Sequence, residues 1–221
     1  MATIPALVVG LLVFRFSEAP AFSPEALRHH NFYLRPEPAV VQVPAIKDSQ
    51  LRDFQTENFE GKWTLVFFGY THCPDICAPT LVQLAQLHKE LDQRSFDLDR
   101  IQMLMVSIDP AYDTADTMSR FLKRFSPHML GLLPDQYQLQ AWAQVFYTHY
   151  APTSSAGVID HSGNVALVNP DGLYIGFFRP PLLVQSMANM VELAQLVYLK
   201  DQTVFSRPTH GASPPVANIE N

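Results

Sequence analysis

The sequence predicts an α/β fold, a central mixed sheet with helices on both faces. Three observations carry that prediction. Short continuous apolar runs alternate with segments whose apolar residues recur every three to four positions, the succession expected of βαβ units. Asn169-Pro170-Asp171-Gly172 lies between two late apolar runs and is a strong hairpin signal. A long amphipathic stretch from Leu182 to Leu199 then closes the body.

Taken in order, residues 22–45 carry Pro24, Pro36, Pro38 and Pro44 with little hydrophobic periodicity, and read as a linker. Trp63 to Phe68 is a continuous apolar run ending at Gly69, the pattern of a buried strand. From Thr80 to Leu91 the stripe Leu81, Leu84, Leu87 and Leu91 predicts a helix. Ile101 to Ile108 is a second strand, ending at Asp109-Pro110. A second helix is expected over 114–125, with Met118, Phe121, Leu122 and Phe125 on one face, and a third over 136–146. Val165 to Val168 and Leu173 to Phe178 are the arms of the hairpin. The folded body therefore spans residues 46–200, and residues 201–221, rich in Ser, Pro and Thr, read as a disordered tail.

The N-terminus is apolar from Ile4 to Phe14. Eleven helical residues fall well short of a hydrocarbon core of roughly 30 Å. Residues 1–21 are thus expected to be a signal peptide or a short membrane anchor, and the sequence does not choose between them.

Composition narrows the function. The 221 residues suffice for one domain, and 48% hydrophobic against 16% charged residues is a globular balance. A net charge of −6 argues against nucleic acid, whose phosphates need a basic face. Two cysteines exclude a multi-disulfide scaffold and a four-cysteine zinc site.

Those two cysteines, Cys73 and Cys77, follow the first strand and open the first helix. Sheet folds place chemistry at such strand ends. The N–H groups of a helix N-terminus favour thiolate over thiol, and Pro74 suits a first turn. Helical positions four apart hold their Cβ atoms roughly 5–6 Å apart, too far for a relaxed disulfide. The pair can clasp an ion, or close a disulfide if the turn deforms, so it suits a site alternating between metal-bound and oxidised states. The bland alternative is two structural thiols or a stabilising disulfide, but a loop this short removes little unfolded-state entropy. Zinc usually takes four ligands, whereas two thiolates and one imidazole can satisfy Cu(I). Of eight histidines, His161 in Ile159-Asp160-His161-Ser162-Gly163 stands just before the hairpin, where a thioredoxin-like sheet brings that loop toward the cysteine turn. A lone histidine is more often simply satisfied than a ligand, and the residues alone leave that open. His72 neighbours Cys73 but should leave the strand end in another direction.

The segments Phe68-Gly69-Tyr70-Thr71-His72-Cys73-Pro74-Asp75-Ile76-Cys77, Ser107-Ile108-Asp109-Pro110 with Asp113-Thr114, Asp160-His161-Ser162 and Asn169-Pro170-Asp171-Gly172 together resemble the Sco (SenC/PrrC) family. The likeness runs from about Val43 to Leu199. It implies a thioredoxin-like fold and a copper chaperone of cytochrome c oxidase assembly. It further implies Cys73 and Cys77 as the redox-active, copper-binding pair and His161 as the third copper ligand. Asp109 matches a position near the metal loop without being a ligand. Partners so implied are the copper-site subunit of the oxidase and an upstream copper donor or thiol reductant. Family members are usually tethered to a membrane and face an oxidising compartment, so an exported protein, periplasmic or on the outer face of the inner membrane, is expected. Ala78-Pro79 departs from members with proline directly after the second cysteine, which should alter the helical turn and not the ligands. The competing reading is a thiol–disulfide oxidoreductase or redox sensor that uses the same cysteines without copper transfer. A peroxidase reading is weaker, since no arginine partner marks a peroxidatic cysteine.

Overall fold

The computed structural model describes residues 27–153 and 157–201. Its centre is an eight-stranded sheet of β1 (Phe32–Val40), β2 (Ile46–Asp48), β3 (Asp53–Phe54), β4 (Trp63–Gly69), β5 (Ile101–Ser107), β6 (Met129–Leu133), β9 (Val165–Val168) and β10 (Leu173–Phe178). Two further strands, β7 (Tyr150–Pro152) and β8 (Ile159–His161), pair only with each other. Helices α1 (Cys77–Gln93), α2 (Ala115–Lys123), α3 (Gln136–Phe146) and α4 (Val184–Lys200) surround the sheet.

The strand order is β1-β10-β9-β4-β5-β6-β2-β3. Strands β4, β5 and β6 run parallel, joined by helical crossovers, while β9, β10, β1, β2 and β3 add antiparallel pairs. The sheet is therefore mixed, as the sequence predicts. Every residue of β4 is buried, because helices cover both of its faces. Alternation along the strand sorts those helices. Trp63 meets Tyr198 of α4 edge-on, and Gly69 lies against Cys77 at the start of α1. Phe68, pointing the other way, packs on Phe146 of α3. Behind it Trp142, Phe54 and Phe59 form one aromatic layer.

The expectation of a linker over 22–45 is corrected for its second half. Residues 32–40 form β1, antiparallel to β10, with Phe32 wholly buried against Phe178. The prolines that suggested a linker are tolerated because β1 is an edge strand, and its pairing is interrupted between Leu34 and Ala39, where Pro36 and Pro38 lie. The folded body accordingly begins before residue 46. The expected signal peptide or anchor over 1–21 and the tail beyond residue 201 lie outside the described residues. Among the described residues, no helix is long and apolar enough to cross a membrane.

Candidate metal centre

The cysteines stand where β4 gives way to α1, but not both on the helix. Helix α1 begins at Cys77, capped by Ile76 with no side-chain bond, and Pro79 rather than Pro74 occupies its first turn. Cys73 lies four residues earlier, in a turn whose N–H donates to the Tyr70 carbonyl at 3.3 Å. The pair is thus not fixed at helical spacing. Gly69 makes the arrangement possible: a Cβ there would come within 2.9 Å of Cys77 Sγ and 2.7 Å of the Phe67 ring. The missing side chain leaves the thiol room against the strand end.

His161 arrives from the last position of β8, opposite Tyr150 in the β7–β8 ribbon. It lies near the Phe67 and Tyr70 rings, at centroid distances of 6.0 and 5.8 Å. Its Nε2 is 3.6 Å from Cys77 Sγ and 3.9 Å from Cys73 Sγ, and the three donor atoms lie within 4.8 Å of one another. Its Nδ1 lies 3.2 Å from the Ser162 carbonyl. A carbonyl only accepts, so Nδ1 carries the proton and Nε2 offers its lone pair to the space between the sulfurs. The Ser162 carbonyl is the partner that orients the ring.

The donor set fits a soft ion. Nε2 stands 3.6 Å from one sulfur and 3.9 Å from the other, so one small ion between them could be held by all three donors. Among the described residues this is the one group of three such ligand residues, with no fourth ligand for tetrahedral zinc. Electrostatics sort the donors. Cys77 is wholly buried and Cys73 half-buried. Burial pushes the Cys77 thiol up, against the pull of the Tyr70 N–H. An ion must therefore displace its proton. Burial lowers the His161 pKa, opposed by the Ser162 carbonyl and Asp160, which keeps the ring neutral and able to ligate.

The other polar residues serve the scaffold. Asp113, nearly buried, accepts hydrogen bonds from Thr71 N–H at 3.2 Å, Thr71 Oγ1 at 2.6 Å and Ser107 Oγ at 2.6 Å. It thereby fixes the loop leading to Cys73 to the end of β5. Burial raises its pKa, and the Ser107 and Thr71 donors pull it down. His72 turns away from the sulfurs, as the sequence suggests. Its ring lies tilted against Tyr112, centroids 4.1 Å apart, and is 3.4 Å from Asp109 through Nε2. Asp109 is outside the donor cluster. Sequence reasoning quotes Asp113 and Tyr70 within motifs but gives neither a role, because nothing in a one-dimensional pattern marks a carboxylate as buried.

Comparison with known proteins places this fold among relatives. The SCO1/SenC family description matches residues 45–195. A Stutzerimonas stutzeri protein whose name refers to copper binding is 31% identical over 164 residues, covering 73% of this chain and 79% of its own. The mouse mitochondrial SCO2 homolog is 34% identical over 129 residues, covering 55% of this chain and 49% of its own; the chain spans about half the length of such mitochondrial relatives. The crystal structure of Arabidopsis thaliana ScoI with copper bound superposes with a TM-score of 0.64 at 25% identity, over 72% of this chain and 97% of that one. The expected thioredoxin-like α/β fold stands. With the family description covering well over half of its length, the chain belongs to the SCO1/SenC family.

Proposed function

We propose that the chain is a copper carrier that binds Cu(I) through Cys73, Cys77 and His161 and serves the assembly of the dinuclear copper site of cytochrome c oxidase. The observation that supports this most is the convergence of His161 Nε2, its Nδ1 already committed, on two sulfurs 3.6 and 3.9 Å away. Cys73, the more exposed sulfur, is the side from which an incoming thiolate would reach the ion. Carriage then needs no change of fold, since two soft ligand sets can share the ion while it passes. The partners in this reading are the oxidase's copper-site subunit and an upstream copper donor. The setting is an oxidising compartment outside the cytoplasmic membrane.

A second reading is a thiol–disulfide oxidoreductase acting on the oxidase's cysteines. It is favoured by the position of Cys73 in a turn, where the pair is not held at helical spacing. In that reaction Cys73 and Cys77 form a disulfide while their two electrons and two protons reduce a partner disulfide to thiols. Only copper carriage needs the imidazole.

The deciding experiment compares oxidase assembly in cells carrying His161→Ala with cells carrying Cys73→Ala. Carriage predicts loss of oxidase copper in both. A normal oxidase in the His161→Ala cells, with loss only in the Cys73→Ala cells, overturns carriage and favours thiol exchange.

A further inference from the structure

Tyr70, the first residue after β4, is wholly buried and touches the surroundings of all three donor residues. Its carbonyl accepts the Cys73 N–H at 3.3 Å. Its hydroxyl oxygen accepts the Ile159 N–H at 3.2 Å, two residues before His161 on the same strand. Its ring stands edge-on to the His161 ring, centroids 5.8 Å apart. The ribbon of β7 and β8 is not hydrogen-bonded into the main sheet, so the approach of His161 to the sulfurs is not set by a ladder to β4. The Ile159–Tyr70 bond joins that ribbon to the cysteine loop across 89 residues of sequence.

We propose that Tyr70 is the positioning residue of the metal centre, its hydroxyl holding β8 against the cysteine loop and so setting the spacing between the His161 imidazole and the two sulfurs. The proposal rests on the reading of these donors as a copper site. The hydroxyl oxygen accepts from β8 while the backbone carbonyl accepts from the cysteine loop, so one residue meets both halves of the site. A buried tyrosine that merely satisfies its hydroxyl would lower stability when changed, but would have no reason to act through the imidazole.

The test is a double-mutant cycle on the reduced full chain, titrating Cu(I) against a chromophoric Cu(I) chelator. Tyr70→Phe keeps the ring and removes only the hydroxyl. It should weaken Cu(I) binding by about 10–100-fold, the usual cost of losing a group that orients a ligand. In a His161→Ala background the same change should cost less than about twofold, because the imidazole it positions is gone. X-ray absorption of the copper-loaded Tyr70→Phe protein should show the nitrogen contribution reduced and the sulfur contribution kept. Ile159→Pro, which deletes the same bond from the other side, should reproduce the loss and carries the test if Tyr70→Phe does not fold. An affinity within twofold of the parent in either single variant overturns the proposal. So does an undiminished loss in the His161→Ala background, which would mean action through the cysteines or the fold. Equal Cu(I) affinity of the parent and His161→Ala would overturn the copper-site reading itself and this proposal with it.

Discussion

A single histidine and a pair of histidines sit at opposite ends of the parallel strands and are organised differently. His161, beyond the C-terminal end of β4, has one nitrogen tied to a backbone carbonyl and the other turned to two sulfurs. His88 on α1 and His128 just before β6 flank a cleft of about 370 Å³ that the first residues of β5 also line. Their rings stack at 4.4 Å and lie within 9° of parallel. Parallel rings send their lone pairs side by side rather than to one point, so two histidines in contact form no donor centre, whereas one oriented histidine does. Orientation by a hydrogen bond, not the number of imidazoles, distinguishes the metal end.

The sharpest way to break that comparison is to remove ligands from each end. Cys77→Ser should abolish tight Cu(I) binding in the full chain, a loss beyond the roughly 10–100-fold of a missing supporting residue. Changing both His88 and His128 to Gln should leave one copper bound per chain at parental affinity. Equilibrium dialysis of the reduced proteins checks both. A second tightly bound copper that disappears with the His88 and His128 changes would show that stacked rings can reorient into a site.

Next in size is the support beneath the cysteine loop. Asp113→Ala orphans the Thr71 N–H and the Thr71 and Ser107 hydroxyls together. Each buried unsatisfied group costs about 1–3 kcal/mol, and partial relaxation suggests a total of about 2–4 kcal/mol. Denaturant unfolding should show a lower midpoint with an unchanged slope. Asp113→Asn keeps an acceptor oxygen and should lose less. A midpoint unmoved by Asp113→Ala would mean the loop is held by its packing alone. Gly69→Ala should cost about 1–3 kcal/mol, because the new methyl meets the Phe67 ring and Cys77 Sγ within 3 Å.

The same contrast explains what was legible in the sequence. Strands β4, β5, β9 and β10 follow from apolar runs, and the helices from their stripes, because burial on one or two faces writes itself into hydropathy. The cysteines were legible as a pair at a strand end. His161 was legible only as a candidate, from its place before the hairpin: its partners lie 88 and 84 residues away, and the family resemblance is what marked it as a ligand. Strand β1 was hidden by prolines that an edge tolerates, and β2 and β3 by lengths of three and two residues, too short for a period to show. Tyr70 and Asp113 act through hydrogen bonds to distant segments, which hydropathy does not record.

The smallest expected effect belongs to the stacked pair and concerns pH. His88 is pushed below the ordinary histidine value chiefly by burial, then by His128, with Asp92 one turn along α1 opposing. Arg52, Lys62 and Asp99 also line the cleft, and Arg52 is already paired with Asp48. Near pH 8 the His88 ring is neutral in the folded and unfolded chains alike, so it contributes no pH dependence. As pH falls through about 6.5, the unfolded chain takes up a proton that folded His88 resists. Stability therefore declines over that interval, and the decline stops below the folded pKa, where both states are protonated. His88→Gln should flatten this part of the profile, and His128→Gln should flatten it less, because burial remains after the neighbouring ring is gone. Urea midpoints measured from pH 8 to pH 5 for the parent and both variants give the comparison. Three parallel profiles would show that the stacked imidazoles titrate as they do in the unfolded chain, and that their contact carries no electrostatic cost.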